Sequence, residues 1–137
     1  MKYTLGEFLR VVHCVSPASY AAAAVAYSSG IDTRGYREAM FVVSLGVITA
    51  TGDVNFLVQE SADDSTYAAV TGATIAEKAL ADGEITICIR VNTSPRMRYL
   101  RLGYDVDDDA AIFGATCILG DPLIRPATAS AAIETSV

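Results

Sequence analysis

The chain has 137 residues, of which 52% are hydrophobic and 19% charged, with a formal net charge of −6 and an isoelectric point near 4.6. That length suits one domain with its own core, and the composition excludes a chain disordered throughout. The acidic balance opposes binding to nucleic-acid phosphates, and no apolar run reaches the ~18 residues of a membrane helix, so neither partner is expected.

Residues 1–20 read as an N-terminal arm. Thr4-Leu5-Gly6-Glu7 has capping-box spacing, but Gly6 and the β-branched Val11, Val12 and Val15 oppose a long helix. One helical turn followed by extended chain is expected, closed by Pro17. Glu7 and Arg10 also interrupt any signal-peptide core, which predicts a soluble protein made inside the cell. Ala21–Ala24 has helical propensity, yet Val25-Ala26-Tyr27 before Ser28-Ser29-Gly30 suits an edge strand.

The strand signal is clear from residue 38. Glu38–Ile48 is apolar on both faces, as in a strand at a sheet centre. Asp53–Ser61 alternates, with Val54, Phe56 and Val58 on one side, and Tyr67–Val70 is a short strand before Thr71-Gly72. Thr74–Leu80 lies between glycine turns, which favours a strand over its helical propensity. Glu84–Val91 places Ile85, Ile87, Ile89 and Val91 on one face. Met97–Tyr104 does the same with Leu100, Leu102 and Tyr104, and Ala111–Leu119 with Phe113, Ala115, Cys117 and Leu119. Seven or eight strands separated by turns predict an all-β, antiparallel, jelly-roll-like β-sandwich at residues 21–122, cored by 38–119. Residues 123–137 follow as a C-terminal tail.

Few residues carry chemistry. Cys14, Cys88 and Cys117 are odd in number and lack C-x-x-C spacing, so neither a disulfide framework nor a zinc site is expected. An EF-hand loop starting at Asp105 would need Gly and Glu where Ala110 and Thr116 stand, so the run Asp105, Asp107, Asp108, Asp109 reads as a solvated loop. His13 beside Cys14 is a lone pair pointing to opposite sides of an extended chain. Glu60, Asp63 and Asp64 read as turn-solvating carboxylates rather than a glycosidase pair, and phosphate-binding glycine loops do not occur. The Asn92-Thr93-Ser94 sequon reads as a turn. No enzyme activity, cofactor or metal is therefore expected. Arg90, Arg96, Arg98 and Arg101 fall on two consecutive strands. Paired as a hairpin, those strands would display a basic band, either for docking on an acidic surface or neutralised by the nearby aspartates.

Four stretches, in this order, resemble the capsid decoration (cement) proteins of tailed bacteriophages. These are Gly30-Ile31-Asp32-Thr33-Arg34-Gly35-Tyr36, Val58–Tyr67 with its Q-E-S-x-D-x-S-x-aromatic pattern, Arg98-Tyr99-Leu100-Arg101-Leu102, and Gly114–Gly120 followed by Pro122 and Pro126. Ala73–Gly83 and the first four residues match no motif of that family. The resemblance, over about residues 28–126, implies a virion structural protein made in the bacterial cytoplasm and mounted on the capsid surface. Its implied partners are the major capsid protein and further copies of itself. On that reading the contacts are Leu9, Val11, Val12 and Val15 of the arm, together with Arg90, Arg96, Arg98 and Arg101, and arm and tail lie across capsid subunits. A carbohydrate- or receptor-binding module of a phage tail is the alternative, which the absence of Trp and the scattered Tyr residues disfavour.

Overall fold

The computed structural model describes residues 5–124. A 3-10 turn at Leu5–Glu7 precedes β1 (Leu9–Tyr20), β2 (Ala23–Tyr27), β3 (Ile31–Asp32), β4 (Tyr36–Ile48) and β5 (Asp53–Ser61). Then come β6 (Ala68–Ala79), a 3-10 turn at Leu80–Asp82, β7 (Ile85–Asn92), β8 (Tyr99–Asp107) and β9 (Ala111–Pro122). All ladders are antiparallel, in a four-stranded sheet ordered β1-β9-β4-β7 and a five-stranded sheet ordered β2-β8-β5-β6, with β3 also on β8.

That order has a simple origin. With the two-residue β3 set aside, the pairs β1·β9, β2·β8, β4·β7 and β5·β6 nest as rungs of one long antiparallel hairpin. Folding the hairpin over itself brings β9 beside β4 and β8 beside β5, which is the jelly roll. The expected all-β sandwich is therefore the observed fold.

Period-two patterning fills the space between the sheets. Phe41, Val43 and Leu45 of β4 and Phe113, Cys117 and Leu119 of β9 meet Val54, Phe56 and Val58 of β5 and Leu100 and Leu102 of β8, all buried. Phe113 joins the two sheets: its ring centre lies 4.6 Å from that of Tyr20 and 5.2 Å from those of Phe56 and Tyr104.

Two expectations need correction. Residues 9–20 are not an arm laid outside the domain; they form β1, paired with β9 from Leu9↔Gly120 to Tyr20↔Ala111. The apolar residues of this segment complete the shared core, so it folds as an edge strand after the expected helical turn. The two strands expected at Tyr67–Val70 and Thr74–Leu80 likewise merge into one, β6 (Ala68–Ala79), whose turn-like centre at Gly72 (φ +83°) is absorbed as an irregularity. Leu123 donates its N–H to the Gly35 carbonyl at 2.8 Å, and the expected tail beyond residue 124 lies outside the described residues.

Candidate docking site

Three of the four stretches that resemble decoration-protein motifs meet at one corner of the five-stranded sheet, whereas the fourth, Gly114–Gly120, lies on β9 in the other sheet. Gln59 lies opposite Arg101 in the β5·β8 ladder, and its Oε1 accepts from Arg101 Nε and Nη2 at 2.9 and 2.6 Å. The Arg101 guanidinium is held between two rings, 3.9 Å from the Tyr27 centre and 3.8 Å from that of Tyr67. Tyr67 in turn donates its hydroxyl to Asp64. Burial, aided by that bond, pushes the Tyr67 phenol up to about 12. A Cβ on Gly30 would overlap the Asp64 carboxylate and the Tyr67 hydroxyl, so glycine there permits the stack.

The other motif residues close the loops around this stack. Asp63 accepts the N–H groups of Ser65 and Thr66 at 3.0 Å and the Ser61 hydroxyl at 2.8 Å. These bonds, that from Thr66 foremost, hold its carboxyl well below the usual carboxylate range. Asp32 takes Arg98 through Nε at 3.0 Å and Nη2 at 2.7 Å, which lowers the Asp32 carboxyl in the same direction. Arg96 reaches Glu60 at 3.5 Å, and the other Glu60 oxygen accepts the Met97 N–H at 2.9 Å.

The basic band does not form as a hairpin, because β7 pairs with β4 whereas β8 pairs with β2 and β5. Arg90, on β7, is thereby separated from Arg101, on β8 of the other sheet, and from Arg98 just ahead of β8. Asp32 and Glu60, rather than the Asp105–Asp109 run, supply the carboxylates for Arg98 and Arg96. That acidic run occupies the end where Asp53 and Asp107 face each other across β5 and β8. Partial burial, then the charges of Asp107, Asp108 and Asp105, raises the Asp53 carboxyl.

Among the contacts inferred from the sequence, Leu9, Val11 and Arg90 come together. They lie on the outer face of the four-stranded sheet, whose registers generate cross-strand rows. One row is Leu9-Gly120-Glu38-Asn92, the next Val11-Ile118-Met40-Arg90, and the next His13-Thr116-Val42-Cys88. Val11, Ile118, Met40 and Val42 are half-buried at the centre of this face. Without a side chain at Gly120, a hollow of about 480 Å³ opens between Leu9, Met40 and Ile118, rimmed by Glu38, Arg90 and Asn92. A second hollow follows along the face, between His13, Pro17, Val42 and Ile112.

Val12 and Val15 are turned inward instead. Val15 is 5% exposed and Val12 packs on the core. Cys14 follows Val12 inward by ordinary alternation, where burial raises its thiol, and the bulge between His13 and Val15 brings Val15 inward after it. These two valines therefore serve the fold rather than a contact surface. Met40, Val42 and Ile118 were missed as surface candidates from the sequence. Apolar residues on both faces of Glu38–Ile48 were the available signal, but they read as a strand covered on both sides.

No family model matches the chain, and neither does any curated protein. By structure it is similar to the PBSX exported protein XepA, with a TM-score of 0.62 at 13% identity, over 100% of this chain and 45% of that one. The chain thus spans a little under half the length of that protein, and at this identity the likeness shows the fold alone.

Proposed function

We propose that the chain is a non-enzymatic structural protein of a tailed-phage virion, attached to the outside of an assembled capsid, which it stabilises. The observation that carries this reading is the outer face of β1-β9-β4-β7. It gathers Leu9, Val11 and Arg90 with Met40, Val42 and Ile118 into an apolar strip with a charged rim. Such a strip on a rigid sheet matches the usual makeup of a protein interface, with its apolar centre and polar margin. The motifs shared with decoration proteins support the scaffold half of the reading, since Asp32, Asp63, Arg98 and Arg101 are engaged in bonds within the chain.

A protein that binds the assembled shell and not its free subunits stabilises the shell by linkage, and a lattice of sites multiplies modest single contacts. Docking through a sheet face replaces docking through a free arm. Deleting residues 1–15 would strip Val12 and Val15 from the core, so point substitutions make the better test.

The test is co-sedimentation with empty shells of the phage's major capsid protein, with the shell's melting temperature read alongside. The wild-type chain should co-sediment and raise that temperature, whereas Met40→Asp and Ile118→Asp, with the β-sheet circular dichroism retained, should do neither. Wild-type failure to bind shells, with binding to a glycan array or host envelope instead, would replace this reading by the tail receptor-binding one. Undiminished binding by both variants would remove the face assigned here.

A further inference from the structure

Among the described residues β1 and β7 border one sheet, and β2 and β6 border the other. An edge strand offers unpaired N–H and C=O groups to any other strand, and proteins ordinarily blunt such edges. Three of these are blunted. β1 breaks register twice and contains Pro17; β2 has five residues and a register break. β6 breaks register twice, carries Gly72 at φ +83°, and bears Glu77 and Lys78. β7 has none of these devices. Its eight residues, ITICIRVN, ladder onto β4 from Asn92↔Glu38 to Ile85↔Leu45 without a shift, and Arg90 is its one charge. Five of them are β-branched and favour extended pairing.

We propose that the free edge of β7 is a homodimer seam. A second copy of this chain pairs its own β7 antiparallel about a two-fold axis at Cys88, joining two four-stranded sheets into one continuous sheet. The strand is self-complementary in this register. Opposed residues of an antiparallel pair share a face, so the axis at Cys88 sets Ile87 against the partner's Ile89 and Ile85 against the partner's Val91. Ile85, 40% exposed in the single chain, is thereby covered. Arg90 faces the partner's Thr86, so the positive charges do not meet. This self-match, apolar against apolar with the two arginines kept apart, favours a second copy over an unrelated extended segment.

The seam does not rest on the capsid reading, because it is read in solution without shells. Sedimentation velocity of the full chain under reducing conditions should show a dimer. Cys88→Lys places like charges face to face at the axis, and Thr86→Arg sets a positive charge directly against the partner's Arg90. Each should shift the chain to monomer with circular dichroism unchanged. Ala24→Lys, on the exposed edge of the other sheet, should remain dimeric. Mild oxidation should link the wild-type dimer covalently and leave Cys88→Ser dimeric but unlinked. A monomeric wild type at every concentration overturns the proposal, as does a dimer undisturbed by both charged variants. Capture of an extended peptide on β7 by a monomeric chain would reassign the edge to another protein.

Discussion

The guanidinium carbon of Arg101 lies 3.8 Å from the ring centre of Tyr67, two residues brought together from strand β8 and from the loop ahead of β6. A planar cation between two rings gains on both faces, and Gln59 accepts two of its hydrogen bonds. Lysine cannot reproduce the planar stack or the paired bonds. Arg101→Lys should cost about 1–2 kcal/mol, read as a lower urea midpoint at unchanged slope.

Tyr67 adds a pH signature. Its phenol ionises near 12 in the folded chain against an ordinary 10.0, so folding favours the protonated form. Stability from this group is complete below pH 10 and is lost as the pH rises through 12. Ultraviolet titration should find Tyr67 ionising late, beside Tyr104, whose phenol burial also raises. Asp64→Asn should bring Tyr67 earlier without restoring the ordinary value, because burial is the larger cause.

Asp63 acts at the acid end with the opposite sign. Its carboxyl is depressed below the ordinary 3.8, so its stabilisation is present above that pH and is lost as the pH falls through the folded value. Asp63→Asn should lower the melting temperature at pH 7, and by clearly less at pH 2, where part of that stabilisation has gone. Equal losses at both pH values would show that packing, not ionisation, holds the loop.

Phe113 is 1% exposed and contacts three other rings, two of them from the opposite sheet. Phe113→Ala should cost about 3–5 kcal/mol in chemical denaturation, while Phe113→Leu should cost markedly less.

Much of this was legible residue by residue. Alternation at Asp53–Ser61, Glu84–Val91 and Ala111–Leu119 identified inward-facing side chains, because a strand's period of two is a local property. The turn at Asn92–Pro95 was legible too, although not that Thr93 would be buried there, donating its hydroxyl to the Tyr36 carbonyl at 2.6 Å.

Pairing was not legible. The sequence by itself determined that strands form, which face of most of them turns inward, and the class of fold, since local alternation and turn residues specify these. Only the tertiary structure decided that Leu9–Tyr20 joins a sheet, that Arg90 parts from Arg98 and Arg101, and that Val11, Ile118 and Met40 form one row. The reason is that ladder partners in a jelly roll lie far apart along the chain: Val11 meets Ile118 because the whole folded-over hairpin closes between them, and no local pattern encodes that closure.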